Sequence, residues 1–61
     1  MDEITSRTAE AELAETKGDY REAARLYNQL GLDIQARHGR FDPRALDAFE
    51  GVARSIGKTA S

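Results

Sequence analysis

The sequence predicts an all-α fold of three successive antiparallel helices, over about 3–17, 20–37 and 43–56. Three observations carry this. Apolar residues recur every three or four positions through Tyr20, Ala23, Tyr27, Leu30 and Ile34, the period of one helix face. Two glycines, Gly18 and Gly39, fall where a periodic stretch stops, and glycine readily takes the left-handed conformation that closes a helix. Asp42-Pro43 opens the last periodic stretch, with Asp as N-cap and Pro at the first helical position.

Asp2 can cap the first helix, and Glu3 suits its positive end. From Glu3 to Lys17 the chain has no Pro or Gly and is rich in Ala and Glu, which is good helix composition. Its apolar face is thin: Ile4, Ala11 and Ala14, with Leu13 to one side. Small residues there let a neighbouring helix come close, but they bury few methylene-sized groups at about 0.8 kcal/mol each.

The second helix is the anchor of the fold. Asp19 is placed to accept hydrogen bonds from its first free amides, and Glu22, three residues on, to complete a capping box. Arg37 and His38 stand in its last turn, where cations suit the dipole. Gly31 lies inside it, at a cost of up to about 1 kcal/mol against Ala, and the favoured reason is close contact with another helix. Tyr20 and Tyr27 lie on the stripe and are expected in the core. Arg40-Phe41 forms a short link. The third helix carries a stripe of Leu46, Phe49, Val52, Ala53 and Ile56, with Ala45 beside it. Gly57 is expected to close it, leaving residues 58–61 as a flexible tail.

With 61 residues the chain is one domain. A chain of this size buries only about 60% of its unfolded surface, so its stability is marginal without help. It has no Cys for a disulfide and a single His, too little for a structural zinc site, which leaves a partner chain, or more of the same chain as in a longer repeat array, as the expected support. The net charge of −2 argues against general nucleic-acid binding. The charge is uneven, −4 over residues 1–20 and +2 over residues 21–61. No apolar run approaches membrane-spanning length, and there is no signal-peptide core, so a soluble cytoplasmic protein is expected. Arginine outnumbers lysine seven to two, the usage of a GC-rich bacterial gene.

No catalytic set is visible. His38 has no base or nucleophile near it in sequence, the serines sit in no nucleophile-elbow pattern, and the five glycines are scattered singly. Glu10, Glu12 and Glu15 read as a solvated helix face rather than a metal site. No cofactor is expected. Arg37, Arg40 and Arg44 cluster around the second link, with Asp33, Asp42 and Asp47 close by. As a nucleic-acid patch this cluster is the rival reading, and paired, solvated charges are the favoured one.

The chain also shows an internal period. Ala11 and Ala53 stand 42 residues apart, each the small residue of its stripe, and Leu13 and Ala14 correspond to Ser55 and Ile56. Gly18-Asp19-Tyr20-x-x-Ala23-x-x-x-Tyr27-x-x-Leu30 resembles the turn and second helix of a tetratricopeptide repeat. Gly39-x-x-Asp42-Pro43-x-Ala45-Leu46-x-x-Phe49-x-x-Val52-Ala53-x-x-Ile56 resembles the linker and next first helix of the 42-residue, kinesin-light-chain-like variety. The likeness spans roughly residues 5–57, about one and a half repeats. The first helix departs from it, with Glu10 where the family favours a Leu-like residue and Ala14 where a large aromatic is usual.

The resemblance implies a non-enzymatic protein-interaction module whose first helices line a groove for a peptide or partner protein. The groove positions it implies are Thr8, Glu12, Glu15 and Thr16 on the first helix and Asp47, Glu50 and Arg54 on the third. So many acids imply a basic or amine-bearing partner. Stacked repeats normally need about three units, so a chain with half that number leaves an apolar side uncovered. That implies a homodimer through the third helix and the flank of the second, with Leu32, Phe49, Val52 and Ile56 as the contact residues.

Overall fold

The computed structural model describes residues 2–60 and is built of three helices. They are α1 (Glu3–Thr16), α2 (Tyr20–His38) and α3 (Pro43–Ala60), with no strand among the described residues. The body measures 33 × 22 × 13 Å.

The punctuation read from the sequence operates as local physics. Asp2 caps α1 by accepting a hydrogen bond on Oδ1 from the Thr5 amide at 2.8 Å. At the other end the Gly18 amide donates to the Glu15 carbonyl at 3.0 Å and the Asp19 amide to the Ala14 carbonyl at 2.9 Å. This is a Schellman closure, and Gly18 takes the φ of +82° that it requires. Gly39 ends α2 at φ +106°, and the Gln35 side-chain amide latches the turn by donating to the Arg40 carbonyl at 3.1 Å. The Arg44 amide donates to Asp42 Oδ1 at 2.8 Å, which opens α3 as Asp42-Pro43 predicts.

Three expectations are corrected. Asp19 holds the N-cap position of α2, but its side chain makes no capping bond. Its ψ of +67° differs from the extended +167° of Asp2, because the closure of α1 runs straight into α2 and leaves no residue to turn the carboxylate inward. Glu22 completes no capping box and pairs instead with Arg25 at 2.7 and 2.8 Å. The third correction is the end of α3. Gly57 does not close it, and the helix runs on through residues 58–60 in place of a flexible tail; Ser61 lies outside the described residues. Gly57 has no positive φ, and the Thr59 hydroxyl donates to the Ser55 carbonyl at 3.0 Å within the continued helix.

α2 is the spine. α1 packs along one side of it and α3 along the other, and α1 and α3 touch each other little. The ion pairs set the direction of α1: Arg37 meets Glu3 at 3.0 Å and Arg7 meets Asp33 at 2.7 Å, so the start of α1 lies beside the end of α2. The core has two clusters. Ala11, Ala14, Ala23 and Tyr27 pack with Leu26 and Val52, and Leu30, Ile34, Ala45 and Ala48 pack with Ile4 and Phe49.

The α2–α3 seam is made of small residues interlocked with two aromatic rings. A Cβ added to Gly31 would stand 2.8 Å from the Phe49 ring, and one added to Gly51 would stand 2.7 Å from the Tyr27 ring. Each helix thus lays an aromatic ring over a glycine of the other. This close approach decides which face of α3 turns inward. Ala45, Ala48, Gly51 and Ser55 are buried, while Leu46, Ala53 and Ile56 of the expected stripe are exposed. Residues 42 apart therefore differ in setting: Ala11 and Ala14 are buried against α2, and Ala53 and Ile56 face solvent.

Candidate functional site

α1 and α3 stand apart over the face of α2 and leave a half-open groove of about 320 Å³. Tyr27 and Leu30 of α2 form its floor. One wall is Ile4, Thr8 and Glu12 of α1, which share a helix face because each is four residues from the next. The other wall belongs to α3: Arg44, Asp47, Ala48, Glu50 and Arg54.

Five of the seven residues expected in the groove line it, namely Thr8, Glu12, Asp47, Glu50 and Arg54. Thr8 and Glu50 are 42 residues apart, as are Glu12 and Arg54, and both pairs open into the same space. Thr16 does not line it, and its hydroxyl donates to the Glu12 carbonyl at 2.9 Å. Glu15 does not line it either, because three helices close around its carboxylate. Arg54 donates from Nε to Oε2 at 2.6 Å and from Nη2 to Oε1 at 3.1 Å. The Tyr27 hydroxyl donates to Oε1 at 3.0 Å, and Lys58 Nζ lies 3.7 Å from Oε2.

This junction has a clear electrostatic signature. The Arg54 hydrogen bonds, helped by Tyr27 and Lys58, hold the Glu15 carboxyl at about 2. Burial and the neighbouring Glu15 raise the Tyr27 hydroxyl above its ordinary value. Arg54 also lies 5.7 Å from the Tyr27 ring centroid and Lys58 5.4 Å from that of Tyr20. Arg54 is thus committed at one end of the groove and Arg44 at the other, where it binds Asp42 at 2.9 and 3.0 Å. The carboxylates of Glu12, Asp47 and Glu50 make no ion pair or hydrogen bond to another described residue. The space is therefore acidic over an apolar floor.

Tyr27, Leu30, Ile4 and Arg44 are groove residues that the sequence places in the core or in a charge cluster, and Ala48 is one that it does not single out. The four-residue step back from Thr8 to Ile4 was the signal available for one of them. Of the expected contact residues, Leu32 and Ile56 are 53% and 56% exposed, while Phe49 and Val52 pack into the two core clusters. In the arginine cluster, Arg37 is bound to Glu3 and Arg44 to Asp42, and Arg40 lies over the Phe41 ring at 5.9 Å. Among the described residues no group of His, Asp and Glu side chains is placed to hold a metal ion, and no helix is long and apolar enough to cross a membrane. No family model, no curated protein and no solved structure matches this chain.

Proposed function

We propose that this chain is a non-enzymatic protein-interaction module of tetratricopeptide type, with a peptide or partner protein seated in the groove between α1 and α3. The observation that supports this reading is that Thr8 and Glu50, and Glu12 and Arg54, each 42 residues apart, line one groove, while the apolar pairs Ala11/Ala53 and Ala14/Ile56 at the same spacing differ in burial. Alternate helices of a repeating pattern would present equivalent positions on the same side in this way. The uncommitted carboxylates favour a basic partner. A cytoplasmic, bacterial setting and self-association belong to the same reading, the latter supported by the exposed side chains of Leu32, Leu46 and Ile56.

The nucleic-acid alternative has less support. Phosphate binding needs arginines free to pair, and Arg37 and Arg44 already hold carboxylates. The test is capture of partners from the native host with the wild-type chain and with a Glu12→Ala/Glu50→Ala variant. Weaker capture by the variant is expected. Equal affinity for both chains rejects the groove, and a salt-sensitive shift of duplex DNA would favour the alternative.

A further inference from the structure

The groove asks for two things at once. Its floor and one edge are apolar, through Leu30, Ala48 and Ile4, and its rim carries the uncommitted carboxylates of Glu12, Asp47 and Glu50. At about 320 Å³ it lies at the lower end of ligand-pocket size, so it takes one or two side chains rather than a long segment. A fitting occupant brings an apolar group and a cation side by side.

The chain displays such a pair on its own surface. Phe41, in the turn between α2 and α3, is 81% exposed. The Arg40 guanidinium lies 5.9 Å from the centroid of its ring, and unlike Arg37 and Arg44 it holds no carboxylate of a described residue. We propose that the Arg40–Phe41 turn of a second copy of this chain docks in the groove. This rests on the groove being a binding site, and it names the occupant. The Phe41 ring packs on the half-buried Ile4 above Leu30 and Ala48, which are 2% and 4% exposed, and the Arg40 guanidinium meets the carboxylates of the rim. Arg44 is three residues beyond Phe41 and lines the groove, so turn and groove sit at the same end of α3. Two copies related by a two-fold axis then exchange turns reciprocally, as an isologous contact requires. Each Phe brings about 150–250 Å² of contact surface, so the dimer is small and its affinity micromolar or weaker.

The experiment is sedimentation of the full chain from micromolar to millimolar concentration, with amide NMR spectra along the same dilution series. Dimerisation is expected, with the resonances of Phe41, Thr8, Glu12 and Ala48 moving together. Phe41→Ala and Glu50→Lys each weaken it at least about tenfold. Arg40→Glu combined with Glu50→Lys recovers part of the affinity that Glu50→Lys loses, and stays short of wild type because Glu12 and Asp47 still repel the new carboxylate. Phe41 and Glu50 are exposed, so circular dichroism is expected to show both variants folded. A chain monomeric at millimolar concentration overturns the proposal. So does a dimer that survives Phe41→Ala and is lost in Ile56→Glu, which places the contact on the outer face of α3. Titration with a synthetic peptide of residues 37–44 separates the two readings. Peptide shifts at Thr8, Glu12 and Ala48 in a chain that stays monomeric leave the groove standing and remove the second copy. A Phe41-dependent dimer whose Thr8 and Ala48 resonances stay still also removes this docking.

Discussion

A methyl group added to Gly51 would stand 2.7 Å from the ring of Tyr27, closer than a real Cβ approaches a carbon. Tyr27 is 3% exposed and its hydroxyl is hydrogen-bonded to Glu15, so the ring has nowhere to go. Gly51→Ala is expected to lower stability by about 1–3 kcal/mol through overpacking, although Ala is the better helix former by up to about 1 kcal/mol. Gly31→Ala meets the far edge of the half-buried Phe49 ring, which can swing outward, so its cost is smaller. Urea unfolding of the two variants checks the order, and a Gly51→Ala chain as stable as wild type refutes the close seam.

Gly57 gives the opposite expectation. It sits inside α3 with ordinary φ and nothing within 4 Å of an added Cβ. Gly57→Ala then gains helix propensity without a clash, and stability rises by about 0.4–1 kcal/mol. Thermal melts read this as an increase of about 2–8 °C for a domain of this size.

Ser55 is fully buried and its Oγ has no hydrogen-bond partner among the described residues. A hydroxyl taken from water without compensation costs about 1–3 kcal/mol. Ser55→Ala removes that cost and keeps the small volume the seam needs. It is expected to be neutral or to stabilise by about 1 kcal/mol, where an ordinary buried truncation would destabilise. A clear loss in the urea midpoint contradicts this.

Glu15 sets the response to acid. Its carboxyl titrates at about 2 in the folded chain against an ordinary 4.5. The stability it contributes is therefore complete above pH 4.5 and is lost as pH falls from 4.5 towards 2. Asp42, also held at about 2 by Arg44, acts in the same direction. Glu15→Gln is expected to flatten the acid limb of the stability profile. At pH 7 its cost stays near about 1 kcal/mol, since Arg54 is half exposed and solvent screens the pair. Urea midpoints between pH 2 and pH 7 measure both effects.

The helices were legible because the chain marks their limits with residues of special backbone chemistry: Gly18, Gly39 and the Asp42-Pro43 pair. The wrong face of α3 had an equally physical origin. A hydrophobic stripe reads the largest apolar residues as inward, but α3 lies so close to α2 that only Ala45, Ala48, Gly51 and Ser55 fit between the backbones. Leu46 and Ile56 were left outside by that approach, which no single-helix pattern contains. The groove was legible in part, since the tetratricopeptide resemblance, and no motif of their own, implied Thr8, Glu12, Asp47, Glu50 and Arg54, which line it. The withdrawal of Glu15 from it was not, because it depends on Tyr27 and Arg54 arriving from two other helices.

The arrangement of α1 has a thermodynamic corollary. That helix leans on α2 through Ala11, Ala14, Ile4 and two ion pairs, and meets α3 through Glu15 and Val52, a smaller seam than the one between α2 and α3, so it is the segment with least to hold it. It also forms a whole wall of the groove. Detachment of α1 and emptying of the groove are then linked equilibria, and anything bound there slows amide hydrogen exchange in Glu3–Thr16 and raises the melting point with the logarithm of its concentration.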